Sequence, residues 1–347
     1  MAYTTINKST VHFNTLLYTG NSGTQTKTGV GFKPDLTWIK QRTASPGNTN
    51  NVLYDAVRGA YWTIQSNTNA AQSADDGLVA WNSDGFNIGN VNTTNYNNST
   101  YAAWNWKANG SGSSNTAGSI NSTVSVNTTA GFSIVKFTGT GSNATVGHGL
   151  GVVPKMIMLK KTNGSADWIV YHNSMGNTKA LKLNSNAALS TDSGYFNSAT
   201  PTSTLFSLGN DGFTNGSNAV IIAYCFAEKQ GYSKFGSYIG NGNANGTFIY
   251  TGLKPSTIIL KPSTYGDQWM QYDNKRLGYN DYNNFLSPST ANGESTGHGS
   301  TGAIDILSNG FKARSTGNSL NKTGETYIYM AIGQSLVGTN NVPCTAR

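Results

Sequence analysis

The stretch GFKPDLTWIK, from Gly31 to Lys40, decides the fold because the chain contains it three times. The second copy is GLGVVPKMIMLK, from Gly149 to Lys160, and the third is GLKPSTIILK, from Gly252 to Lys261. In each copy a glycine-led turn leads into a proline and a run of mostly apolar residues, and a lysine follows the proline by six residues. A recurrence at this spacing indicates a repeated structural unit.

Other landmarks recur in the same order around this motif. The first is a turn whose glycine lies 14 or 15 residues before the proline, at Gly20, Gly139 and Gly240. The second is a turn that contains Asp-Gly-Phe or Asn-Gly-Phe and begins at Ser83, Asn210 and Ser308. The third is an aromatic-rich closing run that begins at Tyr101, Val220 and Tyr327. We therefore predict four segments. They are unit one with an N-terminal arm (1–108), a Gly/Ser/Asn-rich linker (109–129), unit two (130–231) and unit three with a C-terminal tail (232–347).

The spacing of short apolar runs predicts an all-β chain of three tandem β-sandwich, jelly-roll-like repeats. The runs are rich in Ile, Val, Tyr, Trp and Thr, and Gly, Asn-Gly or Asp-Gly interrupts them every 8 to 12 residues. The closing runs are apolar on both faces, as in a strand covered on each side. Residues 62–76 are expected to hold one short helical turn. The first half of the linker is expected to be flexible, and residues 119–126 to form a strand.

The motif lysine has two interpretations. Proline at the start of a core strand need not donate to the sheet, so the motif reads as turn, core strand and exposed lysine, and this structural interpretation is favoured. The alternative is that the lysines Lys40, Lys160 and Lys261 form a functional set of cations.

Composition excludes several classes of function. Charged residues make up 11% of the chain, against about 25% in typical domains. The 23 basic and 15 acidic residues give a net charge of +8, but no basic run exceeds two residues, so a nucleic-acid partner is not expected. The longest apolar runs are too short for membrane insertion. The N-terminal residues lack the pattern of a signal peptide.

The residue pattern argues against catalysis, and neither a metal nor a cofactor is expected. The three glutamates and the recurring aspartates give no facing carboxylate pair, as a glycosidase requires. The four histidines show no metal-binding spacing, and no loop carries three acidic ligands. A polysaccharide-degrading enzyme is therefore the third choice of function.

Surface recognition remains as a role, because loops rich in Asn, Ser, Tyr and Trp combine rigid aromatic contacts with adaptable hydrogen bonding. The candidate recognition residues are Tyr61, Trp62, Tyr96, Tyr279 and Tyr282.

Several long stretches resemble a repeated domain of marine tailed bacteriophages, including podoviruses of cyanobacteria. These stretches are MAYTTINKS, GFKPD-x-x-WIK, YDAVRG, YAAWNWKANGSGSSN, GFSIVKFTG, DWIVYH and AYCFAEKQGYSKFGSY. The resemblance covers nearly the whole chain and implies a virion, tail-fibre-like or structural protein without a known catalytic residue. Unit three departs most from this pattern, with Ser256 where unit one has Asp35.

The sequence therefore predicts a phage virion protein, made in the host cytoplasm and displayed on the particle surface. A tail-associated fibre or knob adhesin is favoured, with head decoration as the alternative. The expected partners are other virion proteins and a host polysaccharide or protein, and an oligomer is possible. The units could form a string or pack around one pseudo-threefold axis. The linker favours a string in which units two and three form a pair.

Overall fold

The computed structural model describes residues 3–43, 47, 49–276, 280, 284–295 and 302–338 of the 347-residue chain. Within these ranges the protein is mostly β, with several antiparallel sheets and only single-turn helices. The prediction of an all-β class is confirmed at that level, whereas the jelly-roll arrangement and the four segment boundaries stay predictions.

Unit one forms a six-stranded sheet, in the order β1-β9-β3-β4-β5-β6, and a three-stranded sheet, in the order β2-β8-β7. Its elements are β1 (Phe13–Thr19), β2 (Gln25–Thr28), β3 (Leu36–Gln41), β4 (Val52–Asp55), β5 (Trp62–Gln65), β6 (Ser73–Ala74), β7 (Ala80–Asn82), β8 (Gly85–Ile88), α1 (Asn92–Asn95) and β9 (Thr100–Trp106), after a 3₁₀ turn at Ser9–Val11. The expected helical turn within residues 62–76 is wrong, because β5 and β6 pair there as strands.

The linker and unit two share an eight-stranded sheet, in the order β10-β11-β12-β19-β14-β15-β16-β17, beside the pair β13-β18. Their elements are β10 (Ser113–Asn115), β11 (Ser122–Asn127), β12 (Phe132–Thr138), β13 (Ala144–Gly147), β14 (Pro154–Lys161), β15 (Ile169–His172), β16 (Lys179–Lys182), β17 (Ser190–Thr191), α2 (Ser193–Phe196), β18 (Leu205–Leu208) and β19 (Val220–Ala227), with a 3₁₀ turn at Asn173–Met175.

Unit three forms a four-stranded sheet, in the order β20-β26-β22-β23, and a three-stranded sheet, in the order β21-β25-β24. Its elements are β20 (Ser233–Ile239), β21 (Phe248–Tyr250), β22 (Leu253–Pro262), β23 (Met270–Asp273), β24 (Ile304–Leu307), β25 (Gly310–Ala313), α3 (Asn318–Asn321) and β26 (Thr326–Ser335).

The first half of residues 109–129 was expected to be flexible and instead carries β10, whereas the strand predicted at residues 119–126 is confirmed by β11. The buried carboxylate of Asp35 fixes the start of this segment by accepting hydrogen bonds from the backbone N–H groups of Ala108 (2.7 Å) and Gly110 (3.0 Å). Ile120 and Val124 then enter the apolar core of unit two. Two buried apolar side chains and paired strands outweigh the flexibility that the composition suggests.

The closing strands β9, β19 and β26 are apolar on both faces because each separates two cores, as predicted. In β19, Ile221, Ala223 and Cys225 face the core of unit two, whereas Tyr224 and Phe226 face a central cluster shared by all three units. The same alternation holds in β9 and β26. Side chains alternate along a strand, so a sheet covered on both sides requires a nearly continuous apolar run.

The three units close into a ring, so the expected string is wrong. Each unit donates one backbone hydrogen bond to the next unit, from an equivalent position in each case. The acceptor is the carbonyl of the residue two positions after the motif lysine. These bonds are Gln72 N to Thr162 O (2.9 Å), Leu189 N to Ser263 O (2.8 Å) and Glu294 N to Arg42 O (2.7 Å). Because the third bond returns from unit three to unit one, the contacts follow a pseudo-threefold axis, and the central cluster lies between the three larger sheets.

The motif lysines are buried, which corrects the expectation of an exposed cation. Lys40, Lys160 and Lys261 are each 0% exposed. Each Nζ donates to a backbone carbonyl of a neighbouring unit, namely Ala291 O (2.9 Å), Asn69 O (3.0 Å) and Asn186 O (3.2 Å) respectively. Burial lowers the pKa of each lysine from 10.5 to about 8. The repeated lysine therefore joins the units of the ring.

A buried asparagine in each unit was not predicted. Asn95, Asn215 and Asn321 are 0% exposed and lie six residues before Tyr101, Ile221 and Tyr327. In unit two the Asn215 Nδ2 donates to the carbonyls of Ser142 (2.6 Å) and Gly209 (2.7 Å), and its Oδ1 accepts from Thr140 N (2.9 Å). The equivalent asparagines make corresponding bonds. The side chain thereby ties the glycine turn to the start of the closing strand.

Candidate recognition surface

Two of the predicted recognition residues form an exposed pair, the aromatic doublet (Tyr61 and Trp62). Tyr61 is 46% and Trp62 41% exposed, and they lie where the chain enters β5. Few large apolar side chains of the described residues are this exposed, and these two are adjacent in sequence. Exposed tyrosine and tryptophan side chains supply contact area at low cost in conformational entropy.

A buried ion pair, Arg58 with Asp55, contacts the backbone of the doublet. The Arg58 guanidinium donates from Nε to Asp55 Oδ2 (2.5 Å) and from its terminal nitrogens to the carbonyls of Trp62 (2.9 Å) and Leu53 (3.0 Å). Both charged side chains are nearly inaccessible to solvent. Because a planar guanidinium has donors in fixed directions, it sets the distance between β4 and the backbone of Trp62.

The Tyr61 backbone is fixed in an unusual conformation. Its φ of 70° lies in the left-handed region, which non-glycine residues seldom adopt. Tyr61 N donates to Leu78 O (2.9 Å), and Tyr61 O accepts from Asp75 N (2.8 Å). The surrounding hydrogen bonds thus hold a strained backbone whose side chain points outward, a combination found at functional sites.

The other predicted recognition residues do not join the doublet. Tyr96 is half-buried and lies on a separate loop, between α1 and β9, where its N–H donates to the Tyr101 hydroxyl (2.7 Å). Tyr279 and Tyr282 lie outside the described residues.

The position of Asp55 also connects neighbouring units. The Tyr224 hydroxyl of unit two donates to Asp55 Oδ2 (2.8 Å), and the Trp104 indole of unit one donates to the equivalent Asp273 Oδ2 of unit three (3.1 Å). Asp273 also pairs with Arg276. The aspartates at the ends of β4 and β23 therefore stabilise the contacts between units, and their carboxylates are bound to structural partners.

Unit two replaces this ion pair with uncharged residues. His172 stands at the aspartate position and Met175 at the arginine position. His172 Nδ1 accepts from Ser174 N (3.2 Å), so Nε2 carries the proton and donates to Tyr329 O of unit three (3.1 Å). Burial lowers the pKa of His172 to about 4, and the imidazole is therefore neutral at pH 7.

Across the described ranges, no group of three or more His, Cys, Asp and Glu side chains has a geometry suited to a metal ion. Among the helices of the same ranges, none has the length and apolarity needed to cross a membrane.

A family model described as a domain of unknown function, DUF7483, matches residues 8–335. The chain belongs to this family. No curated protein and no solved structure matched the chain. The DUF7483 match runs through all three units of this chain.

The DUF7483 chain carries a second exposed surface that the sequence did not predict, the unit-three patch (Ile239, Phe248 and Tyr250). These side chains are 62%, 45% and 57% exposed. Their counterparts, matched by strand pairing, are Thr19, Thr26 and Thr28 in unit one and Thr138, Thr145 and Gly147 in unit two. Comparison of the three units at these positions would have revealed the patch, because only unit three has large apolar residues at all of them.

Proposed function

We propose that this protein is a structural component of a phage particle, displayed on its surface, and that it binds a host molecule as a tail-associated fibre or knob adhesin. The aromatic doublet is the observation that carries the binding role. A buried ion pair and a strained, doubly anchored backbone keep two adjacent aromatic side chains exposed. Preorganised aromatic surfaces bind polysaccharide or protein without an ordering cost on the protein side.

The particle location rests on the resemblance to marine phage proteins. The ring supports it, because three units joined by equivalent contacts give a rigid body on which loops can differ. We further propose that each unit is a β-sandwich, jelly-roll-like in its strand order, in which the larger sheet packs on the smaller one. The expected partners are other virion proteins and a host surface polysaccharide or protein.

One observation favours the alternative of a head decoration protein. The pseudo-threefold arrangement of the inter-unit hydrogen bonds would match a threefold position on a protein shell. In that case the doublet would face either the shell or the solvent, and host binding would be secondary.

Immunogold labelling of intact particles separates these roles. Gold on the tail supports the adhesin, gold spread over the head supports decoration, and particles that contain the protein by immunoblot but bind no gold contradict surface display. Binding of the purified protein to host envelopes tests the doublet. The variant Tyr61→Asn with Trp62→Thr should weaken binding at least tenfold. The matched control Val152→Thr, at another exposed apolar residue, should leave binding unchanged.

A further inference from the structure

A cavity lies where the junction between units two and three meets β21 and the N-terminal arm (residues 3–12). Its volume is about 380 Å³, and the described residues that line it lie within 228–234 of the junction and 250–252 of unit three, with Tyr3 of the arm. This volume falls within the range of small-ligand sites, about 300 to 1,000 Å³. The aromatic doublet takes no part in the cavity, which is therefore a separate candidate site.

Two tyrosines of the lining are held together by their hydroxyl groups. The Tyr3 hydroxyl donates to Gly252 O (2.8 Å), and the hydroxyls of Tyr3 and Tyr250 are hydrogen-bonded to each other. Tyr250 is nevertheless 57% exposed. Because its hydroxyl is anchored, its ring offers contact area to a ligand at low cost in conformational entropy.

An ion pair forms a second part of the lining. Lys234 Nζ donates to Glu228 Oε1 (2.8 Å), and Glu228 Oε2 accepts from Phe235 N (3.3 Å). The side chains of Lys234 and Glu228 are still 38% and 30% exposed, so further lone pairs of the carboxylate and N–H groups of the ammonium can reach a ligand. The two charges offset one another, and the pair therefore offers strong hydrogen bonds without requiring a charged ligand.

Unit one closes the corresponding space. Asn14 and Lys234 are equivalent, because they pair with Asn105 and Ala331 at the same position of the closing strands. Asn14 Nδ2 donates to Val30 O (3.0 Å) and so ties β1 to the segment before the motif. In unit three the equivalent lysine is instead bonded to a carboxylate, and both side chains line the cavity.

We propose that this cavity binds a neutral pyranose unit of a saccharide. A pyranose has C–H groups on the faces of its ring and hydroxyl groups around its edge. The C–H groups can pack on the ring of Tyr250, while the hydroxyls donate to the Glu228 carboxylate and accept from the Lys234 ammonium. The exposed amide of Gln230 supplies a further donor and acceptor. This inference does not depend on the proposed role in a particle.

The charges of the lining favour a neutral polyol over other small ligands. A free anion or cation would have to separate Lys234 from Glu228, whereas hydroxyl groups can bond to both while the pair stays intact. An apolar ligand would remove water from two charges and give no hydrogen bond in return, which is costly. Since a single sugar ring makes few contacts in an open cavity, we expect a dissociation constant on the order of 1 mM.

Saturation-transfer NMR of the full chain tests the proposal, because the method detects binding in the millimolar range. The probes are the methyl pyranosides of glucose, galactose, mannose and N-acetylglucosamine, each at up to about 20 mM. At least one should receive saturation at its ring C–H protons. Tyr250→Thr, which installs the equivalent Thr28 of unit one, and Glu228→Gln should each weaken binding at least tenfold. Phe248→Thr, at an exposed aromatic residue of the same strand that does not line the cavity, is the matched control and should bind as the wild type does.

Three results would overturn the proposal: no saturation transfer to any of the four probes, a folded Tyr250→Thr variant that binds normally, or binding of methyl glucuronide in the absence of binding to the neutral probes. Circular dichroism checks the fold of each variant. The doublet variant Tyr61→Asn with Trp62→Thr should keep the signal. If it alone loses the signal, the sugar binds at the doublet, and the proposed function survives while this inference fails.

The converse result separates the two in the other direction. If the doublet variant binds host envelopes normally and the cavity still binds a pyranoside, the recognition role of the doublet is contradicted and the cavity remains as a saccharide site.

Discussion

At the residue scale, the buried asparagines show how one side chain can fix a turn. Asn215 satisfies two backbone carbonyls and one N–H in a space closed to water. The spacing of the three asparagines is visible in the sequence, but it is hidden among many other Asn residues. Only the burial of Asn95, Asn215 and Asn321 separates them from asparagines in ordinary turns.

We expect Asn215→Ala to lower the free energy of unfolding by about 3 kcal/mol, because it leaves buried backbone groups without partners. Urea denaturation measures the change. The control is the exposed Asn121→Ala, which should stay within about 0.5 kcal/mol of the wild type. Equal effects of the two substitutions would show that the buried bonds contribute little.

His172 predicts a loss of stability in acid. Its pKa is about 4 in the folded protein and near 6.5 when unfolded, so the unfolded chain binds the extra proton between these values. Stability from this residue is therefore complete above pH 6.5 and falls by about 3 kcal/mol as the pH drops to 4.

The measurement is the melting temperature from pH 7 to pH 4. In His172→Gln the loss of stability per pH unit should be smaller, by the amount that corresponds to about one bound proton. Other buried groups account for the pH dependence that remains. An unchanged slope would place the acid sensitivity elsewhere.

At the scale of single elements, the buried lysine at the end of each motif strand predicts a second pH effect, which lies in the alkaline range. The motif lysines have a pKa of about 8 when folded and 10.5 when unfolded. Between these values the unfolded state binds more protons, so stability should rise with pH. Above about pH 10 the buried tyrosines, whose pKa values burial raises, act in the opposite direction.

Chemical denaturation at pH 7.5, 8.5 and 9.5 should show this rise. In Lys160→Met the slope should be smaller by about one proton, or about 1.4 kcal/mol per pH unit. Lys136→Met, at a half-buried lysine that makes no bond to another unit among the described residues, is the control and should keep the wild-type slope. If both variants behave alike, the motif lysine is not the group that titrates.

The linker gives a prediction about proteolysis. A Cβ on Gly118 would lie 2.3 Å from Thr145 O, so Gly118→Val should displace the segment that covers β13. We expect cleavage within residues 109–129 to become faster in limited proteolysis. Gly212→Ala, where a Cβ meets open space, should be cut as the wild type is. Equal cleavage of all three proteins would mean that the segment does not depend on this close approach.

The sequence predicted strands at the three proline motifs, at the closing runs and at residues 119–126, because apolar runs and turn residues report on local structure. It did not predict that the first half of residues 109–129 is ordered. Their Gly, Ser, Asn and Thr content is typical of a linker, and the interactions that order them come from Asp35 and from β12 and β13, which are distant along the chain. The aromatic doublet was found because a Tyr-Trp pair in a polar loop stands out. The unit-three patch was not, because its members are separated in sequence and join only through strand pairing.

At the scale of the whole molecule, the shared central cluster predicts a single unfolding transition. Each larger sheet buries one face in its own unit and the other face against the other units, so every unit loses the shared central cluster when a neighbour unfolds. We expect one calorimetric peak, with equal van't Hoff and calorimetric enthalpies.

Trp269→Phe, which removes the indole bond to Lys182 O (3.0 Å) between units three and two, should lower the temperature of that single peak. Separate peaks, in the wild type or in this variant, would contradict a cooperative ring and favour independent units.

Packing around one axis was left open by the sequence but was not favoured, because the decisive contacts look like ordinary residues in the sequence. A lysine after a core strand is usually exposed, and nothing local indicates that Lys40 reaches a carbonyl of unit three. The three copies were visible, but the angle between them is set by side chains such as Asn51, Trp168 and Trp269, which differ in type and still make equivalent bonds.

The replacement of an aspartate–arginine pair by His172 and Met175 has a consequence for how such a molecule can diversify. A homotrimer encoded by a short gene must change all three copies of a position at once. Here unit two has His and Met at the two positions where the other two units have Asp and Arg. A fused chain can therefore alter one face at a time, and each third of the surface can acquire its own specificity without the loss of the common frame.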